Sequence, residues 1–324
     1  MYIGPLVFEE IFKPKPWGGR ALARVCGKRL PSGRIGESWE ISDHPNGVSV
    51  VRGGPVAGKT LRHLMQRHCR SLVGESPCDR FPLIVKLIDA GRQLSVQVHP
   101  DDKQARRLKL RDSGKVEAWY VLESRPDGCL VTGLRSLNDV SRLAELSRSG
   151  ELVSRLRCAH PETGETWLCG PRSLHALGPG LVMLEVQQNS DATLRLYDWG
   201  RGNRGGVARP LHLKKCLAVL RDGMSRVRRV RPRRLRDASV CAERLIVTDR
   251  FVMDKWRVEQ PLHRTKPNRF EIVHVLSGSG SLGDGRWPEI DLTRGKTVLV
   301  PADVGDYDIF PRRGLEIIRA AEPE

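Results

Sequence analysis

Short apolar runs rich in β-branched residues, separated by Gly and Pro, occur along most of the chain. They include "FPLIVKLIDA", "LSVQVHP", "EAWYVLES", "CLVTGL", "TWLCGPRSLHALGPGLVMLEVQQ" and "TLRLYDWG". Short strands at regular intervals with turn signals between them are typical of sandwiches and barrels of antiparallel strands. The pattern therefore predicts a mainly β fold.

Two segments repeat their apolar residues at the helical spacing instead. These are "TLRHLMQRHC", which begins at Thr60, and "SLNDVSRLAELSRSGELVSRLRC", which begins at Ser136. A Ser or Thr at the first position can cap a helix by accepting from a backbone N–H. We predict helices in both segments, and thus a few helices in the N-terminal part of the fold.

A basic run, "RDGMSRVRRVRPRRLRD" at 221–237, separates two sets of strands. The second set, which contains "FEIVHVLSGSGSLGDG", "KTVLVPADVGDYDIF" and "GLEIIRA", is long enough for a β domain of about 80 residues. Its order of strands, Gly turns and Pro resembles that of the first set and indicates duplicated barrels. We predict a first domain at 1–220, a basic connector at 221–238 and a C-terminal β domain at 239–324.

The composition is that of a soluble globular protein, with 324 residues, 39% hydrophobic and 29% charged. The N-terminal sequence lacks the pattern of a secretory signal, and no segment approaches the ~18 apolar residues of a membrane span. We therefore expect no membrane association and a cytoplasmic location. The eight cysteines form no Cys-x-x-Cys pair, which favours reduced structural thiols over a zinc knuckle or a disulfide scaffold.

The formal net charge of +17 raises the question of a nucleic-acid partner. The densest basic run, at 221–237, contains no aromatic residue that could stack on bases. We favour a solvated connector there and expect no nucleic acid, although a binding arm remains the alternative. A positive field would also attract an anionic substrate such as a sugar phosphate.

Metal-ligand residue types occur singly on several predicted strands. Gln97 and His99 share one face of "LSVQVHP" because residues two apart in a strand point the same way. Glu117 begins "EAWYVLES", two residues after Lys115, and His175 follows a Gly-Pro turn. Imidazole and carboxylate ligands suit Zn²⁺ and similar divalent ions. Each residue alone fits an exposed strand or a core position as well, and spacing cannot show that they converge.

Longer motifs resolve this ambiguity. The segments "KLIDAGRQLSVQVHPDD", "GKVEAWYVLE", "LHALGPGLVMLEVQQNSDATLRLYDWGR" and "PLHLKK" resemble, in order and nearly in wording, those of type I mannose-6-phosphate isomerases. "KPWGGR" and "GESWEISDHPNGVSV" are also similar to that family. The resemblance implies a metal-dependent enzyme with two cupin-type (jelly-roll) β-barrel domains, and the chain length is similar to the short bacterial branch.

The resemblance also implies roles for particular residues. The family's metal site falls on Gln97, His99, Glu117 and His175, all in the first domain, and we expect one divalent ion there, with zinc as first choice. The second strand set has apolar residues or Ser at the matching positions, so we interpret it as non-catalytic. The positions associated with the substrate phosphate fall on Lys86 and Ser95.

Three further positions match active-site residues of the family. Lys115 would contact phosphate or relay a proton, and Arg195 would orient the substrate. Glu185 is our first choice for the base that moves a proton between C1 and C2, with Lys115 or metal-bound water as alternatives. We interpret Asp191 and Asp198 as turn and packing residues.

The resemblance therefore predicts an aldose–ketose isomerase that interconverts mannose 6-phosphate and fructose 6-phosphate, as a monomer or a homodimer. The sequence departs mildly from the family where Ala118 and Ser173-Leu174 replace the common Cys and Thr-Val. Fold does not fix function, so the alternatives are another cupin sugar-phosphate isomerase, a cupin oxygenase or a non-catalytic sugar-phosphate-binding protein.

Overall fold

The computed structural model describes residues 3–75, 79–201, 209–236, 240–283 and 285–323, and the fold within these ranges is mainly β, as predicted. The strands of the first sheet are β1 (Ile11–Gly19), β2 (Ile35–Ile41), β5 (Leu83–Ala90), β7 (Glu117–Ser124), β10 (Thr166–Cys169), β12 (Leu181–Gln188) and β14 (Arg228–Val230). They are all antiparallel and lie in the order β1-β2-β5-β12-β7-β10-β14.

The central strands β5 and β12 are buried along their whole length. One face of this sheet, with Val85, Leu87 and Val186, belongs to a core that extends to the C-terminal sheet. The opposite face, with Ile88 and Met183, packs against the smaller strands described next. Charged side chains within such strands are costly unless they are paired, and Lys86 on β5 pairs with Glu185 on β12.

Small strand groups cover the second face of the first sheet. They are β6 (Val96–Val98) paired with β13 (Leu194–Tyr197), the three-stranded group β8 (Leu130–Leu134), β9 (Leu156–Ala159) and β11 (Ala176–Leu177), and the hairpin β3 (Asp43–His44) with β4 (Gly47–Val48). The residues Leu130 and Leu177 join the core beside Ile88 and Met183. The cavity described below lies between these layers.

The helices are α1 (Ala21–Cys26), α2 (Leu61–Val73), α3 (Asp102–Arg107), α4 (Leu143–Ser149), α5 (Leu152–Arg155) and α6 (Leu213–Leu220). The predicted helix after Thr60 is α2, and the Thr60 side chain accepts from the His63 N–H at 3.1 Å. An apolar core joins α4, α5 and α6 to β6 and β13.

The predicted helical run from Ser136 is wrong in part. Ser136 caps a 3-10 turn at Leu137–Arg142, and α4 then ends at Gly150, which has a φ of 83°. This left-handed conformation suits Gly and terminates helices. The last residues of the run form β9 rather than helix, because they pair with β8.

The C-terminal sheet contains the predicted second set of strands. It consists of β15 (Arg233–Arg234), β16 (Cys241–Val247), β17 (Val252–Val258), β18 (Leu262–Arg264), β19 (Glu271–Gly283), β20 (Ile290–Thr293), β21 (Thr297–Val300) and β22 (Tyr307–Ala321). Its main path is β15-β16-β17-β22-β19-β20, with β18 beside β22 and β21 beside β19. It has an apolar core of its own. Leu6 from the N-terminal segment bridges Leu299 of β21, which ties the chain start to this sheet.

The basic run at 221–237 is exposed but is not an unstructured connector. Within it, β14 pairs with β10 in the first sheet, and β15 pairs with β16 in the second. The run therefore supplies an edge strand to each sheet, and its arginine side chains remain largely exposed. Asp237 lies outside the described residues.

Two sequence-based expectations concern membrane-spanning helices and the state of the cysteines. No helix in the described ranges is long and apolar enough to span a membrane. The cysteines described as free thiols are Cys26, Cys129, Cys158, Cys169, Cys216 and Cys241. Cys78 lies outside the described residues.

Candidate active site

A row of four directly paired residues crosses the first sheet. Trp39 lies opposite Lys86, Lys86 lies opposite Glu185, and Glu185 lies opposite Trp119. Lys86 Nζ is 3.6 Å from Glu185 Oε2, and Trp119 Nε1–H donates to Glu185 Oε1 at 2.8 Å. The row thus places a buried charge pair between two indole rings on the face that borders the cavity.

Facing this row, a short strand brings Gln97 beside two other predicted site residues. The Gln97 and His175 backbones exchange hydrogen bonds of 2.9 and 3.0 Å, and Arg195 on β13 lies directly opposite Gln97. The strand stops before Pro100, which has no N–H to continue the ladder. His99 lies at its end on the same face as Gln97.

The side chains of His99, Glu117 and His175 converge. Their potential ligand atoms all lie within 4.8 Å of one another. Glu117 Oε1 is 3.3 Å from His99 Nε2 and 3.2 Å from His175 Nε2. The Gln97 amide nitrogen is 3.1 Å from His175 Nε2, and amide nitrogen and oxygen exchange places by a half-turn of the group. The structure thus brings together the four residues that the sequence assigned to a metal.

Backbone carbonyls fix the orientation of both imidazoles. His99 Nδ1 is 2.6 Å from the Ala192 carbonyl, and His175 Nδ1 is 3.0 Å from the Ser173 carbonyl. Because a carbonyl can only accept, each Nδ1 carries the proton, and each Nε2 presents a lone pair toward Glu117. This is the arrangement in which histidines bind metals.

The charges of the cluster suit a cation. Burial lowers the pKa of His99, and it lowers the pKa of His175 to about 3, so both rings are neutral. Burial alone would raise the pKa of Glu117, but the Lys115 ammonium, with Nζ 2.6 Å from Oε2, holds it well below the usual range. A buried carboxylate and two neutral imidazoles form a donor set typical of zinc sites.

Three atoms of this cluster lack hydrogen-bond partners. They are His99 Nε2 and both carboxylate oxygens of Glu117, which are buried and have no hydrogen-bond partner within the described part of the chain, although Oε2 is paired with the Lys115 ammonium. Buried polar atoms are nearly always satisfied, and an ion is one of the recognised explanations for an exception. The residues present therefore fit a divalent metal.

A cavity of about 260 Å³ opens beside the cluster. Seven of the nine predicted site residues line it, namely Lys86, Ser95, Gln97, Lys115, His175, Glu185 and Arg195. His99 and Glu117 are fully buried and do not line this cavity. Five basic and three acidic side chains face the cavity, so its lining favours an anion.

The catalytic candidates differ in their surroundings. Burial raises the pKa of Glu185 against the opposing effect of Lys115. Burial and then Arg209 lower the pKa of Arg195, whose Nη1 donates to the Pro210 carbonyl at 2.9 Å. For Lys115, burial would lower the pKa, but Glu117 and then Glu185 raise it overall.

Sequence reasoning missed several cavity residues, of which Asp191 is the clearest. The sequence predicts a turn or packing residue here, yet Asp191 lines the cavity, with Oδ1 3.8 Å from Lys86 Nζ and Oδ2 accepting from Asn46 at 2.7 Å. Its place at a cavity wall depends on how separated segments pack.

Asp198 instead accepts from Arg209 Nε at 2.9 Å, as a packing residue would. Lys15, Glu37 and Arg209 also line the cavity.

Comparison with known proteins shows which family this chain is similar to. The family model described as "Phosphomannose isomerase type I, catalytic domain" matches residues 6–120. Mannose-6-phosphate isomerase ManA of Bacillus subtilis is 34% identical over 94% of this chain and 95% of its own. The chain belongs to the type I mannose-6-phosphate isomerase family.

Other members of the family agree over nearly the whole length. Mannose-6-phosphate isomerase of Streptococcus mutans is 32% identical over 94% of this chain and 97% of its own. The crystal structure of the mannose 6-phosphate isomerase from B. subtilis superposes with a TM-score of 0.87 at 31% identity, covering 98% of this chain and 99% of that chain. The family assignment made from the sequence motifs is therefore confirmed.

Proposed function

We propose that this chain interconverts mannose 6-phosphate and fructose 6-phosphate. The observation that carries the proposal is the single cavity lined by seven predicted site residues beside the His99–Glu117–His175 cluster. Relatives that match over 94% of the chain bear the name of this activity. The net positive lining suits a phosphorylated sugar.

Gln97, His99, Glu117 and His175 would hold one divalent metal, and zinc is the ion we expect. Neutral imidazoles, a carboxylate and an amide suit zinc, although manganese, cobalt and iron accept similar donors. The ion would supply Lewis-acid stabilisation of negative charge on substrate oxygens. Lys115, 2.6 Å from Glu117, would orient that carboxylate.

Glu185 would take the proton from one of the two reacting carbons and return it to the other, through a cis-enediol. Burial raises its pKa, which brings the carboxylate closer to the proton affinity that a base needs near neutral pH. The Trp119 hydrogen bond holds Oε1 at 2.8 Å and would keep the carboxylate aimed into the cavity. Lys115 remains the alternative for the proton relay.

Lys86 and Ser95 would bind the phosphate, as an ammonium and a hydroxyl suit its oxygens. Arg195, from the strand facing Lys86, would orient the substrate and stabilise negative charge that develops on it. Holding both ends of an open-chain sugar would fix the reacting carbons near Glu185.

We also keep the finer architectural expectations as proposals. We infer two cupin-type β-barrels, with a catalytic domain at 1–220, a connector at 221–238 and a non-catalytic domain at 239–324. Each strand set has an apolar core of its own, which supports this division, and a third core packs the two sets against each other. A monomer or homodimer that acts on a sugar phosphate in the cytoplasm, without nucleic acid, remains our expectation.

One assay tests the function. Mannose 6-phosphate is converted and the fructose 6-phosphate is measured by a coupled reaction, before and after chelation, with single metals added back. We expect turnover that chelation abolishes and zinc restores, and no turnover of unphosphorylated mannose. Oxygen uptake with bound iron, without isomerisation, would instead identify a cupin oxygenase.

A further inference from the structure

The Lys86 ammonium lies against the indole ring of Trp39. The two residues are direct partners on β5 and β2, and Nζ is 4.6 Å from the ring centroid. Both side chains are buried. A cation within about 6 Å of an aromatic face is attracted by the ring, most strongly where water is excluded.

Two carboxylates attract the Lys86 ammonium from beyond hydrogen-bond distance. Glu185 Oε2 and Asp191 Oδ1 lie 3.6 and 3.8 Å from Nζ, beyond the usual N–H···O range of about 2.7–3.2 Å. A lysine has a flexible four-carbon stem that can place its charge at many points. The ring face of Trp39 therefore acts together with these two carboxylates to restrict where the ammonium lies.

The indole ring is itself held in place. Trp39 Nε1–H donates to Glu37 Oε2 at 2.7 Å, and Glu37 Oε1 is 3.1 Å from Lys15 Nζ. The Gly47 backbone of the neighbouring hairpin lies close to the ring, since a Cβ at this position would be only 3.2 Å from Trp39 Cε3. A ring fixed by a hydrogen bond and by backbone packing can act as a rigid support.

We propose that Trp39 is a positioning residue that holds the Lys86 ammonium where it meets the substrate phosphate. Trp39 is absent from the residues that line the cavity, so it acts through Lys86. The proposal rests on the phosphate-binding role of Lys86 in the proposed function. Trp39 therefore governs affinity for the phosphate group and has little effect on the chemical step.

The test compares two substitutions of the ring. Trp39→Leu removes the aromatic face, whereas Trp39→Phe retains a face but loses the N–H bond to Glu37. We measure KM and kcat for mannose 6-phosphate and the inhibition constant of inorganic phosphate. For Trp39→Leu we expect KM and the phosphate inhibition constant to rise together by about tenfold, with kcat within about threefold. Trp39→Phe keeps an aromatic face but loses one support of the ring, so we expect both constants to rise clearly less than in Trp39→Leu.

Trp256→Leu is the matched control. Trp256 is a buried indole in the C-terminal sheet, and the Arg264 guanidinium carbon lies 5.4 Å from its ring centroid. Trp256 is not among the residues that line the cavity. We expect this variant to lower the melting temperature and leave KM and the phosphate inhibition constant unchanged. If Trp39→Leu behaves in the same way, Trp39 is a core residue and the proposal is overturned. It is also overturned if Trp39→Phe raises KM as much as Trp39→Leu does.

Two further measurements keep the test decisive. Should Trp39→Leu fail to fold, Trp39→Met fills more of the space without an aromatic face and takes its place. Calorimetric binding of inorganic phosphate to the parent chain and the variant needs no turnover. If the parent chain has no isomerase activity but the Trp39 variant binds phosphate more weakly than the parent chain, the isomerase function is refuted and the positioning role is supported. If the two chains bind phosphate equally well, the positioning role is refuted.

Discussion

Lys86 and Glu185 face each other on neighbouring strands, with 3.6 Å between Nζ and Oε2, and both are buried within fully buried strands. The proposed phosphate ligand and the proposed base are thus fixed by one register of one sheet. A slip of one residue would turn one of them to the opposite face. The antiparallel pairing of β5 with β12 therefore sets the distance between the Lys86 ammonium and the Glu185 carboxylate.

Replacement of the proposed base separates metal binding from turnover. In Glu185→Gln the amide keeps the size of the side chain but cannot take a proton, so we expect kcat to fall by about a thousandfold. Metal content should stay at the parent level, because Glu185 is not part of the His99–Glu117–His175 cluster. Steady-state kinetics and elemental analysis check both results. Full activity in this variant would show that another group is the base.

Removal of a proposed metal ligand should abolish both metal binding and turnover. His99→Ala deletes a buried Nε2 that lies 3.3 Å from Glu117 Oε1, and we expect the purified variant to contain little metal and to show no turnover. His274→Ala is the matched control, because His274 is also a buried neutral histidine, with a pKa of about 3 caused by burial, but lies in the C-terminal sheet. Equal metal content in the two variants would refute the assigned site.

Periodicity predicted the buried strands of the fold better than its edges. "FPLIVKLIDA" and "EAWYVLES" form β5 and β7 as expected, because their apolar residues fit a buried pleated surface. β1 escaped notice because it contains Pro14 and Pro16, which are tolerated on an edge strand but weaken the strand signal. The segment at Leu156–Ala159 has helical spacing yet pairs with β8, since tertiary pairing overrides local preference.

Spacing within one strand predicted only that Gln97 and His99 share a face. The family motifs supplied the assignment of Gln97, His99, Glu117 and His175 to a metal. The row from Trp39 to Trp119 was not predictable, because it depends on the register of strands that are far apart in sequence. The cavity wall at Asp191 depends on packing of separate segments in the same way.

The charge on Lys86 should influence how activity depends on pH. Lys86 is one of the groups that oppose the effect of burial on the pKa of Glu185, so Lys86→Met should raise that pKa further. The base is active when ionised, and the acidic limb of the kcat profile should therefore move to higher pH, while KM rises about tenfold or more. Lys15→Met is the control at the same cavity, because Lys15 pairs with Glu37 and should leave the acidic limb in place. An unmoved limb in Lys86→Met would separate this lysine from the base.

Glu271 in the C-terminal sheet should add to the free energy of unfolding at neutral pH, and acid should remove this contribution. Glu271 accepts from Arg319 Nε at 2.7 Å and from Tyr307 at 2.8 Å. Burial would raise its pKa, but Arg319 and Arg264 lower it to about 2. A carboxyl whose pKa is lower in the folded state stabilises the fold above its unfolded value and loses this effect as the pH falls from about 4.5 to about 2.

This shift corresponds to about 3 kcal/mol of stability at neutral pH. We expect Glu271→Gln to lower the urea midpoint at pH 7, because it removes the carboxylate that pairs with the buried Arg319 and the partly buried Arg264, and to flatten the decline of the midpoint between pH 5 and pH 3. Glu259→Gln, at an exposed position in the same sheet region, should keep the parent profile. If the parent and Glu271→Gln midpoints decline in parallel over this range, the Glu271 carboxylate does not carry the acid dependence.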